Sequence, residues 1–165
     1  YKRQVQWFAE NVFQDLRNLF PTLEFYIVGK NPVPAVRKLH RPERGLHVTG
    51  FVKDLKPYLA HAFAFVAPVR IARGMQTKIL QAMAYGIPVV SSRASIRGIA
   101  AEEEHNVLPA DESYEYVKQI SRLLSNEPLA LRLRANALEF IEEKFNWEKN
   151  LGLLDELLDN KYTAA

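Results

Sequence analysis

Cysteine is absent from this sequence, which excludes disulfides, thiolate metal sites and cysteine nucleophiles together. Glycine is sparse, at seven residues, and neither a Gly-x-Gly-x-x-Gly nor a P-loop spacing occurs among them. No apolar run approaches the ~20 residues that cross a bilayer. The start lacks the basic, apolar, small-residue succession of a secretory leader. His40, His47, His61 and His105 are scattered without ligand spacing, which argues against a metal site. Ser91-Ser92 lacks the Gly-x-Ser-x-Gly setting of a hydrolase nucleophile. Repeats, low-complexity tracts and Gly/Ser linkers are missing as well, so residues 1–165 are read as a single domain.

Acidic residues are scarce in one half only. Residues 1–100 hold 15 Lys/Arg against 5 Asp/Glu, whereas residues 101–165 hold 7 against 14. A basic half suits phosphates, nucleic acid or an anionic membrane face, and it equally suits a solvated basic surface. The basic residues are not interleaved with stacking aromatics, so nucleic acid fits poorly.

Apolar periodicity orders the rest. Trp7, Phe8, Val12, Phe13, Leu16 and Leu19 recur at helical spacing, and Pro21 ends that opening helix. Strands are expected at Leu23–Val28, Leu46–Thr49, Phe63–Ala67 and Pro88–Ser91, with Val107-Leu108 as a short edge strand. Helices are expected from Pro32 to about His40, at Leu55–Ala62, at Lys78–Tyr85, and over 113–125, 128–144 and 148–159. Strands alternating with helices, apolar enough to be covered on both faces, predict an α/β fold: a Rossmann-like, doubly wound parallel sheet. Ligands in such sheets sit at the carboxyl ends of the strands. Gly29, Gly50 and the 68–77 segment all fall there.

The 68–77 segment runs from a strand into a helix. Gly74 permits close backbone approach, and the amides of Met75, Gln76 and Thr77 are expected at the helix N-terminus, where a diphosphate fits. Arg70, Arg73 and Lys78 add positive charge around it. An ordinary loop with glycine and arginine explains the same spacing.

The residues from Gly74 and Lys78 to Val90 (Lys-Ile-Leu-Gln-Ala-Met-Ala-Tyr-Gly-Ile-Pro-Val-Val) resemble the signature of retaining GT-B glycosyltransferases, the group 1 or family-four class. The flanks agree: Phe25-Tyr-Ile-Val-Gly29 looks like the family's second strand and glycine, and Val48-Thr-Gly-Phe-Val-Lys-Asp54 like its Gly-x-Val-x-Asp segment. Ala67-Pro-Val-Arg70, the Trp7-Phe8 helix and Phe145-Asn-Trp147 also match. The resemblance implies a nucleotide-sugar donor site. In it Gly74, Met75, Gln76 and Thr77 hold diphosphate and sugar through backbone amides, with Arg70, Arg73 and Lys78 as charged contacts. Gln81 takes the ribose, and Gly29, Lys30, Phe51 and Val52 form the nucleobase slot. Arg73 and Gln81 stand where the family's Glu-x7-Glu motif has glutamates. A glutamine still hydrogen-bonds a ribose, but an arginine cannot replace the carboxylate. A subset of sugar transferases, some of them exopolysaccharide-associated, carries a loop similar to this one.

The resemblance further implies that this is the donor-binding part of a two-domain enzyme. Its N-terminal acceptor-binding domain, the catalytic residues and the first strand of this domain are expected outside the chain, and the piece alone is expected to be inactive. UDP is the expected nucleotide, with GDP next; no cofactor and no essential metal are expected. The parent enzyme is expected in the cytoplasm, with its basic face against the inner face of the membrane. Leu151, Leu154, Leu157 and Leu158 are expected to cross back to the absent domain and, without it, to favour self-association. Glu102-Glu103-Glu104 reads as a solvated loop or helix start, or as a contact to the donor sugar. A non-catalytic binding module of the same fold and a UDP-sugar epimerase are the alternatives.

Overall fold

The computed structural model describes residues 2–69 and 74–146. Arg70, Arg73, Trp147 and the helix expected over 148–159 therefore lie outside the described residues. The opening helix comprises α1 (Lys2–Phe8), a π-helical stretch (Ala9–Phe13) and α2 (Gln14–Leu19). The wider π turn brings both Val12 and Phe13 to the buried side, between Phe8 and Leu16. The helix stops before Pro21, as expected.

There follow β1 (Phe25–Val28), α3 (Pro34–Arg37), β2 (Leu46–Gly50), α4 (Lys56–Ala60) and β3 (Phe65–Ala67). After these come α5 (Thr77–Ala84), β4 (Val89–Ser91), α6 (Arg93–Ile99), β5 (Leu108–Pro109), α7 (Ser113–Ser125) and α8 (Glu127–Lys144). All strand pairs are parallel, and helices flank them. Among the described residues the expected elements are present: β1, β3 and β4 are shorter by one or two residues, α3 and α4 by more, and the others match within a residue at each end. Helix α6 was not foreseen.

The sheet is not continuous. β1 pairs with β2, while β3, β4 and β5 form a second sheet in that order. The ladder breaks between β1 and β3, the place that a first strand takes in the 3-2-1-4-5-6 order when β1 is counted as the second. Side-chain packing bridges the break: Phe25 of β1 and Val66 of β3 pack against one apolar cluster, with Phe8, Leu16, Tyr116 and Leu123.

β4 is the middle strand of its sheet, and its side chains alternate between two helical layers. Val90 points into the cluster formed by the opening helix and α7, and Val89 into a second cluster with Ile79, Met83, Ile96 and Phe140. Helix α8 serves both, through Leu133 in the first cluster and Ala137 and Phe140 in the second. It packs against both α5 and α7. Leu16 is buried and Leu131 is exposed. Leu16→Ala is expected to cost about 2–5 kcal/mol in urea unfolding through its cavity, and Leu131→Ala to stay within about 0.5 kcal/mol.

Candidate functional site

Two features occupy the carboxyl ends of the strands. The first is a cavity of about 440 Å³ lined by Asn31, Pro32, Arg37, His40, Val48, Thr49, Gly50 and Phe51. It forms because β1 and β2 end together: the Gly29 amide donates to the Gly50 carbonyl at 3.3 Å. Gly50 then turns away at φ 71°, which a side chain rarely adopts. Phe51 is 67% exposed, and the Lys30 ammonium sits 5.9 Å from its ring centre, a cation–π contact. His40 Nδ1 accepts the Val48 amide at 3.1 Å, leaving Nε2 to carry the proton of the neutral ring. Arg37 donates to the Pro32 carbonyl at 2.8 Å. Phe51 thus lines the cavity, and Gly29 and Lys30 flank it. Val52 is not among the lining residues. Arg37, His40 and Thr49 line it too, and neither the strand-end glycines nor the resemblance singles them out.

The second feature is the turn that leads into α5. Gly74 has φ 65°, and its carbonyl accepts the Gln76 side-chain amide at 3.3 Å. Gln76 is only 6% exposed, so its side chain folds back on its own loop. The Thr77 amide, expected at an open helix end, is 3.2 Å from the Met75 carbonyl and donates to it; the tight turn uses that donor up. Met75 is 57% exposed. Thr77, Lys78 and Gln81 are exposed in the first turns of α5, at spacings that put them on one side of the helix.

β4 and α6 support this turn. Ser91 Oγ donates to the Ala67 carbonyl at 3.2 Å, and Ser92 Oγ to the Val69 carbonyl at 2.5 Å. Ser92 also caps α6, accepting the Ser95 amide at 3.3 Å. Arg93 then ties three elements together. Its amide donates to Asp111 at 3.0 Å, and its guanidinium contacts Asp111 at 2.9 Å, Glu115 at 3.2 Å and Glu103 at 3.6 Å. The hydrogen bond to Asp111 is the main reason its ionisation is raised. Glu104 pairs with Arg122 at 3.0 Å, which chiefly lowers its pKa. Two residues of the acidic triplet are therefore engaged with the protein's own arginines. A smaller cavity of about 260 Å³, lined in part by Trp7, Ser92, Asp111 and Glu112, is acidic and unsuited to an anion. Among the described residues no group of three or more His, Asp or Glu is placed to hold a metal. No described helix is long and apolar enough to cross a membrane.

The Glu115 carboxylate accepts the amides of Asp111 at 2.7 Å and Glu112 at 3.0 Å. These bonds lower its pKa below the ordinary 4.5. A depressed folded pKa stabilises above the unfolded value, and the effect is lost as pH falls through the folded one. Glu115→Gln is thus expected to cost about 1–2 kcal/mol at pH 7. Its deficit against the parent should shrink steadily in melts taken below pH 4.5.

The family model of the glycosyl transferases of group 1 matches residues 1–126. No curated protein matches the sequence. Among solved structures, the C-terminal domain of a group 1 glycosyl transferase family protein (LpcC) from Francisella tularensis superposes at TM-score 0.73 with 15% identity, over 88% of this chain and 81% of that one. A mutant of TarM from S. aureus, in a complex that includes UDP, gives 0.77 with 17% identity, over 96% of this chain and 33% of that one. HepE from Anabaena, in complex with UDP-glucose, gives 0.74 with 18% identity, over 92% and 44%. The likeness is one of fold, and this chain spans a third of TarM and less than half of HepE.

Proposed function

The chain belongs to the glycosyl transferases of group 1, and from that premise we propose that it forms the nucleotide-sugar-binding part of such an enzyme. The observation that carries the reading is the pairing of a cavity beyond β1 and β2 with a glycine corner beyond β3, both at strand carboxyl ends, where α/β sheets bind ligands. The nucleobase lies in the cavity, against Phe51 and the backbone around Gly29, with Lys30 over the ring. Gln81 meets the ribose. The diphosphate and sugar lie along Gly74, Met75, Gln76 and Thr77, with Arg70, Arg73 and Lys78 supplying positive charge. The Thr77 amide, bonded within the turn, contributes less to that contact than its place at the helix start suggests.

UDP is the nucleotide we expect, in keeping with the UDP and UDP-glucose held by the fold neighbours. The parent enzyme transfers a hexosyl group from that donor to a saccharide or lipid-linked acceptor in glycan synthesis. It retains anomeric configuration and needs no essential metal or cofactor. The acceptor-binding N-terminal domain and its catalytic groups complete the cleft, and the isolated piece binds without turnover. The basic side of the parent rests on the inner, cytoplasmic membrane face.

Arg73 and Gln81, in place of the two motif glutamates, favour one second reading: a non-catalytic nucleotide- or protein-binding module of this fold. An epimerase is less favoured, because it requires catalytic carboxylates, and Glu103 and Glu104 are held in ion pairs.

Calorimetric titration of UDP, GDP, ADP and their sugars tests the reading. We expect millimolar or tighter binding of UDP, weakened about tenfold by Arg73→Ala and by Lys78→Ala, each of which removes a charged phosphate contact. Phe51→Ala should weaken UDP and UMP alike. Silence toward every nucleotide would favour the non-catalytic module.

A further inference from the structure

We propose that helix α6 is the platform that positions Val69 and the Gly74–Gln76 corner, and that Gly98 is the residue that sets where that corner sits. The inference rests on reading this turn as the holder of the diphosphate, and it assigns work to residues outside that site.

Helix α6 meets the turn at both of its described ends. At its N-cap, Ser92 Oγ donates to the Val69 carbonyl at 2.5 Å, so Val69 is fixed to the residue that caps the helix. In its final turn, a Cβ built on Gly98 would stand 3.2 Å from the Gly74 carbonyl oxygen. That separation is tighter than side-chain carbons normally tolerate, and the neighbour would have to give way. Gly98 is not in the left-handed region that demands glycine. The residue is mid-helical in conformation, where alanine is the better helix former. Its absent side chain is therefore explained by the approach of Gly74 and not by backbone freedom.

The Gly74 carbonyl is also held from within the loop by the Gln76 side-chain amide. Beside the bare backbone of Gly98, which leaves little room for a side chain, and tied by the nearly buried Gln76, it is held between two elements. The amides that follow inherit their direction from it. Gly98 and the Gln76 side chain thus act by positioning: the ligand never touches Gly98, and the Gln76 side chain serves the loop.

The test is Gly98→Ala, with Gly98→Val as a larger probe of the same contact. The measurements are thermal melting, amide NMR shifts of Gly74–Thr77, and calorimetric titration with UDP and UMP. A better helix former should leave the melting temperature equal or higher. The corner amides should shift, and UDP affinity should fall about three- to tenfold for alanine. That range scales down the roughly hundredfold loss expected for a 1 Å misplacement. UMP, which reaches less of the loop, should change less than about twofold by the same scaling. Loss of stability in step with loss of binding would overturn the inference in favour of a packing role, and so would unmoved amide shifts at Gly74–Gln76. If the parent chain binds no nucleotide, the donor reading falls, and the alanine-induced shifts and melting temperature decide the positioning inference separately.

Discussion

Two buried serine hydroxyls at the carboxyl end of β4 hold the candidate site together. A hydroxyl withdrawn from water must find a partner or cost stability, and Ser91 and Ser92 find theirs in the carbonyls of Ala67 and Val69. Those bonds extend the grip of β4 on β3 beyond the point where their ladder stops. They fix Val69 and start α6 in the same place. The turn, the helix beneath it and the strand between the two apolar layers are consequently parts of a single arrangement. Outward from it the support is apolar, through Val89 and Val90 into opposite clusters.

Local pattern made most of the architecture legible. Short apolar strands closed by glycine, and helices with clear three- and four-residue spacing, fall where periodicity puts them. Interactions that local pattern does not encode were missed. The π turn exists because Val12 and Phe13 both find the core, a matter of packing across the fold. Helix α6 is short, follows a strand directly and carries a glycine in its last turn; its one local signal was Ser92 as a cap. The burial of Gln76 and the internal use of the Thr77 amide arise from the sharpness of the turn. A sequence shows the residues of such a turn, but not its closure. The cavity lies at the strand-end glycines. Its wall at Arg37 and His40 comes from a helix and a loop whose approach depends on three-dimensional packing.

The charge division along the chain has two destinations. Part of it is internal: Arg93, from the basic half, is committed to Asp111, Glu115 and Glu103 of the acidic half. It joins α6 to the start of α7. Other basic side chains lie near the strand ends, Lys30 at the cavity and Lys78 on α5. A net count therefore overstates the positive field available to an anionic ligand, and the placement of a few charges matters more than their sum.

The interrupted sheet bears on how these parts communicate. The cavity belongs to the β1–β2 ladder and the glycine corner to the β3–β4–β5 ladder. Backbone hydrogen bonds fix distances within each ladder, and between them, among the described residues, the apolar cluster around Phe25, Val66 and Phe8 sets the spacing. The separation of the two halves is thus a property of core volume. A residue enlarged or trimmed in that cluster acts as a remote adjustment of reach, lengthening or shortening the ligand that both ends can grasp at once.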